Sequence, residues 1–193
     1  FFSPMAYLVM AAYLFFCGYS TAFILDIYNQ HRLDITMREI FSTMEFFSLF
    51  LVPLITMRLL AEERKSGTLE MLVTAPISDA SIVLAKFAGS LFFFVVLHVP
   101  TLLYLSIMAK YANPEYGSVI TGYLGLVLVG ALYLSAGLLV SSVSRDQIVA
   151  SLVTFVVLFV LYTLSTYADS ITSTFLGIPW KKVVGYVGFL SHY

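Results

Sequence analysis

The chain has 193 residues, 60% of them hydrophobic and only 11% charged, with a formal net charge of -1. A soluble domain carries roughly 25% charged residues, and a near-neutral chain with no basic cluster offers no electrostatic footprint for nucleic acid. A single cysteine, Cys17, excludes an intramolecular disulfide, and His31, His98 and His192 are too far apart for metal-ligand spacing. The apolar residues come in runs near the ~20 that cross a bilayer, so the sequence reads as an all-α integral membrane protein.

The first expected span is 4–25, where Gly18 and Ala22, four apart, would let another helix approach closely. A mixed-charge connection with Asp26, Arg32, Asp34, Arg38 and Glu39 leads to the second span, 41–60. Glu45 lies about one turn inside that span, where its carboxylate either reaches headgroup water or lines a cavity. Pro53 is mid-span and predicts a kink, and Arg58 can snorkel to the far interface.

The densest polar stretch follows, 62–79. Thr68 can cap a short helix with Glu70 in its first turn, where the helix dipole favours a negative charge. Leu69, Leu72 and Val73 fall on one face, Pro76 stops the helix, and Ser78 with Asp79 starts the next. An apolar stripe outside the bilayer needs a cover, either the lipid surface or a pocket on another protein.

The third span, 82–108, carries His98 and Pro100 in its middle. His98 is either a neutral side chain bonded to a neighbouring helix or a proton or substrate contact. Pro100 frees the carbonyl of Val96 and predicts a bend. The fourth span, 119–140, is rich in small residues, among them Gly122, Gly125, Gly130, Ala131, Ser135 and Gly137, and Gly137 and Ser141 are also four apart. Such a face suits either a subunit interface or the centre of the bundle. A polar turn with Arg145 and Asp146 leads to the fifth span, 148–167. Residues 168–193 are broken by Gly177, Pro179, Gly185 and Gly188, and with Trp180 they suit an interfacial or re-entrant segment. Charge does not orient the bundle. Arg58, Arg64, Lys65, Lys86 and Arg145 fall on one side, and Arg32, Arg38, Lys110, Lys181 and Lys182 on the other.

The chain has no P-loop, G-x-G-x-x-G, H-E-x-x-H or C-x-x-C motif. Ser135-Ala136-Gly137 is a poor nucleophile motif, and the only mid-span histidine is on another helix.

The run Val52-Pro53-Leu54-Ile55-Thr56-Met57-Arg58, then Ala61-Glu62-Glu63-Arg64-Lys65-Ser66-Gly67-Thr68-Leu69-Glu70-Met71-Leu72-Val73-Thr74-Ala75-Pro76-Ile77-Ser78, with Gly89 after Lys86, resembles the permease subunit of ABC-2 type transporters. Phe2-Ser3-Pro4-Met5-Ala6-Tyr7 and Leu190-Ser191-His192-Tyr193 look most like its gliding-motility-associated branch. The resemblance implies an ABC-2 (type V exporter-like) transmembrane domain of six spans with an N-terminal interfacial helix. About five spans are present and that helix is not, so the chain reads as a permease shortened at both ends. It also implies that 62–79 is a cytoplasmic coupling helix docking on a separate ATP-binding cassette subunit. Leu69 and Leu72 would be the anchors and Glu63, Arg64 and Glu70 the rim, with Glu62, Gly67, Thr68 and Pro76 shaping the element. No cofactor is expected in this chain, ATP and Mg being held by the partner. A second permease subunit, the lipid of a bacterial inner membrane and export are implied as well. Glu45 and His98 are the candidates for a translocation path. The alternative is a non-transport membrane scaffold or assembly factor with the same fold.

Overall fold

The computed structural model describes residues 4–31, 37–61, 67, 78–108, 116–144 and 146–166. All regular structure among these residues is helical. In chain order the helices are α1 (Pro4–His31), α2 (Met37–Thr56), α3 (Asp79–His98), a 3-10 turn (Val99–Thr101), α4 (Leu102–Met108), α5 (Tyr116–Val143) and α6 (Gln147–Thr166). Five stretches are long and apolar enough to cross a membrane: Tyr7–Ile27, Arg38–Thr56, Asp79–Tyr104, Gly117–Val143 and Gln147–Thr166. The segment 168–193 and most of 62–79 lie outside the described residues.

Several boundaries differ from those expected. At 1.5 Å per residue the 28 residues of α1 make about 42 Å, more than the ~30 Å of hydrocarbon they need to cross. The helix therefore runs on past residue 25 and carries Asp26 in its last turns. Helix α2 starts four residues before 41 and stops four before 60. Near its end Met57 N–H still bonds Pro53 O four residues back (2.9 Å), and Leu59 N–H then bonds Thr56 O only three back (3.1 Å). The next two amides, Leu60 and Ala61, leave the helical ladder and donate to Ser141 Oγ of α5, each at 3.2 Å.

Helix α3 begins where Ser78 precedes Asp79. The Ser78 hydroxyl accepts from Ser81 N–H at 3.3 Å, which satisfies one amide of the first turn. Pro100, lacking an N–H, cannot bond Val96 O. Val99 N–H takes that carbonyl instead, and the chain tightens into the 3-10 turn before α4 resumes. Helix α6 is started by Asp146, whose Oδ1 accepts from Ile148 N–H at 2.8 Å.

Helix α2 occupies the centre. It packs against α1, α5 and α6, and α3 packs against α5. Of its apolar window 56% is buried, against 17% for α1, α3 and α6. The core between these helices holds Cys17, Phe41, Met44, Leu49, Phe94 and Leu134. Large apolar side chains such as Phe15, Leu84, Leu128 and Leu152 point outward, as a lipid-facing surface requires.

Three glycines of α5, Gly122, Gly130 and Gly137, face the interior of this chain. A Cβ on Gly122 would strike the ring of Phe41 of α2, and one on Gly130 the ring of Phe94 of α3. One on Gly137 would lie 2.5 Å from Thr56 Oγ1 of α2. Gly18 of α1 serves differently. It faces the hydroxyl of Tyr104, 3.0 Å from where a Cβ would be, and that hydroxyl donates to Leu14 O at 2.8 Å. A side chain, not a second helix backbone, fills the space.

Gly130→Ala should therefore lose about 1–3 kcal/mol by overpacking Phe94. Gly89→Ala on α3, with no atom within 4 Å of its Cβ position, should be neutral or gain up to ~1 kcal/mol. Thermal melts of the two variants in detergent check this, and equal melting temperatures would contradict the α3–α5 packing.

Candidate functional site

Two sets of residues can carry function: the approaches to the polar stretch 62–79, and a polar layer inside the bundle. In the first, Glu62, Glu63, Arg64, Thr68, Leu69, Glu70, Leu72 and Pro76 lie outside the described residues. Gly67 is described, in a turn with φ 75°, a left-handed conformation that a side chain disfavours. What the structure places is the stem on either side. The incoming stem, at the end of α2, is seated on α5 twice: Thr56 lies over Gly137, and Ser141 Oγ receives the amides of Leu60 and Ala61. Ser141 is 1% exposed, so these two N–H groups have no water to turn to. The outgoing stem, α3, has its first buried residue at Ser90, eleven positions after its start.

The second set centres on Glu45 and His98. Glu45 does not reach headgroup water. It lies eight residues beyond Met37, more than two turns into the central helix, and is 2% exposed. Its Oε1 accepts from Tyr133 O–H of α5 at 3.1 Å, while its Oε2 is buried with no partner among the described residues. Such a group costs stability, since it has lost water and regained only one bond.

His98, 4% exposed, is held at both ring nitrogens. A carbonyl can only accept, so Nδ1 carries the proton and donates to Phe94 O at 2.7 Å. Nε2 is then the acceptor for Tyr13 O–H of α1, also at 2.7 Å. The Tyr13 proton is thereby used, leaving Met44 O, 3.4 Å away, a contact at the limit of bonding. This arrangement is a neutral histidine bonded to a neighbouring helix. One turn on, Thr101 donates to His98 O (2.6 Å) and meets the Tyr123 hydroxyl of α5 (2.9 Å).

Glu45 and His98 are thus each paired with a tyrosine of another helix and not with one another. A cavity of about 410 Å³ opens between α1 and α2, walled by Leu8, Ala12, Phe16, Phe47, Phe50 and Leu54. Tyr13 reaches its wall, but Glu45 and His98 do not line it. Ser135 faces outward and donates to Leu132 O at 2.7 Å, so it forms no nucleophile–base pair with His98. No group of three or more His, Cys, Asp or Glu with metal-binding geometry occurs among the described residues.

Sequence reasoning missed Tyr13, Tyr133 and the clamping role of Ser141. A mid-span tyrosine is a polar handle that needs a partner in an apolar site, and that signal was available. Ser141 was visible only as one of a pair of small residues.

The geometry defines a class: a multi-pass helical membrane protein with, among the described residues, five stretches long and apolar enough to cross a membrane and a polar layer in its interior. Residues 4–179 match the family described as ABC-2 family transporter protein, and the chain belongs to that family. It is a permease subunit of an ABC transporter, of a family whose permeases are generally not catalysts themselves and work with an ABC ATPase. No curated protein and no solved structure matches the chain.

Tyr133→Phe removes the one hydrogen bond of Glu45 among the described residues and should cost about 1–3 kcal/mol. Ser135→Ala should leave the melting temperature unchanged, because that hydroxyl bonds only its own helix. The paired melts check the polar layer, and a neutral Tyr133→Phe would show that Glu45 is satisfied by other means.

Proposed function

We propose that this permease couples ATP hydrolysis by a separate ATP-binding cassette subunit to export across a bacterial cytoplasmic membrane. The carrying observation is that residues 4–179 match the ABC-2 family while the helix end that leads in sequence into the polar stretch 62–79 is clamped on α5. In this reading 62–79 is the coupling element. Leu69 and Leu72 anchor in a groove of the ATPase, and Glu63, Arg64 and Glu70 form the polar rim that sets register. Glu62, Gly67, Thr68 and Pro76 shape the element, and the left-handed turn at Gly67 supports that role for one of them. ATP and Mg are bound by the partner. Two permease subunits form the pathway, embedded in membrane lipid, and closure of the ATPases shifts them between access states. In this reading it is a permease of the gliding-motility-associated kind, a reading supported by the resemblance of its terminal residues.

Glu45 and His98 enter this reading as polar groups of the interior through which cargo passes, supported by their burial in the middle of spanning helices.

The test is co-purification of the full-length permease with candidate ATP-binding subunits, wild type against Leu72→Asp. The expected outcome is that wild type retains the ATPase and Leu72→Asp loses it while still folding in the membrane. Unchanged retention would make 62–79 a lipid-surface helix instead. A wild-type complex in which the permease never stimulates ATP hydrolysis would favour the scaffold reading.

A further inference from the structure

The two stems of the 62–79 stretch are held differently. The incoming stem is tied to α5: Ser141 Oγ accepts the amides of Leu60 and Ala61 at 3.2 Å each, one turn below the seat of Thr56 on Gly137. These are the last peptide units before Glu62. Ser141 also stands two residues before Val143, the last residue of α5, and both α5 and α6 pack on α2. The outgoing stem, 79–89, is mostly exposed, whereas Thr56, Leu60 and Ala61 of the incoming one are buried. Helix α3 runs eleven residues from Asp79 before Ser90, its first buried side chain; the half-buried Phe87 touches the core before that, and Phe94 seats on Gly130 of α5 one turn later. A displacement applied between a fixed stem and a loosely packed one goes to the loose one. It tilts the first turns of α3 about the Phe94–Gly130 contact.

We propose that Ser141 is a positioning residue for transport: by holding the Leu60 and Ala61 amides it makes α2, α5 and α6 one block, so that a push on the 62–79 stretch is delivered to α3. The inference rests on the reading of 62–79 as the ATPase-docking element and adds which helix responds and which side chain makes it respond. Ser141 contacts neither ATP nor cargo. Two amides converge on its one oxygen, so removing that oxygen releases both.

The experiment uses the full-length permease with its ATP-binding subunit in lipid nanodiscs. Wild type, Ser141→Ala, Ser141→Thr and Ser142→Ala are compared for ATPase retained, permease-stimulated ATP hydrolysis and melting temperature. Thr keeps an oxygen at the site, and Ser142 bonds only Leu139 O of its own helix. The expected result is that Ser141→Ala retains the ATPase but loses stimulation by about fivefold or more, the lower end of coupling between linked sites. Ser141→Thr should restore most of it, and Ser142→Ala should match wild type. If Ser141→Ala does not accumulate, Ser141→Cys, whose sulfur is a weak acceptor, carries the same expectation. Stimulation equal to wild type in Ser141→Ala overturns the inference. So does a loss that Ser141→Thr does not rescue and that follows melting temperature alone, which would make the contact purely structural. Leu72→Asp separates the two levels. If it still retains the ATPase, the docking reading fails and takes this inference with it. If it releases the ATPase while Ser141→Ala stimulates normally, only this inference fails.

Discussion

A bilayer offers no hydrogen-bond partner to a stray N–H or C=O, and the architecture here follows from meeting that demand inside the chain. Within a helix the ladder does it. The informative places are where the ladder breaks. At Pro100 the orphaned carbonyl of Val96 is taken by Val99 N–H, one residue early, and the helix narrows to a 3-10 turn. At the end of α2 the amides of Leu60 and Ala61 are taken by a serine of another helix. The first repair is local and leaves the span continuous. The second ties two helices together at the point where the chain departs for its long polar connection.

The side-chain layer obeys the same demand with less success. His98 is satisfied on both nitrogens, and its tautomer follows from the carbonyl of Phe94. Among the described residues Glu45 finds a partner for one oxygen only. Groups of this kind are retained in spanning helices where they do something, since apolar residues of similar volume would be cheaper to bury. The cavity between α1 and α2 is a separate, apolar feature against which Tyr13 alone brings a hydroxyl.

Much of the fold was legible in the sequence because apolar runs of bilayer length have few alternatives. The cap at Ser78 and the interruption at Pro100 were legible because they depend on neighbours in sequence. What was not legible depends on distant ones. Tyr13 and His98 are 85 residues apart, and Glu45 and Tyr133 are 88 apart. No periodicity links such pairs. The depth of Glu45 was misjudged for the same reason: its position in α2 suggested an interface, but α2 is the helix the others surround. Gly137 and Ser141 announced that something comes close, without saying that it is the end of α2.

The glycine seats on α5 carry a consequence for chain length. Phe41 meets Gly122 and Thr56 meets Gly137, so the step is fifteen residues on α2 (56 minus 41) and fifteen on α5 (137 minus 122). The two helices run parallel and in step over about 22 Å. One residue inserted into either stretch would shift one seat by about 1.5 Å and turn it by about 100° while leaving the other in place. The pair therefore works as a vernier with two marks, and only equal changes on both helices keep both marks aligned. Between these marks the number of residues is as tightly constrained as their identity.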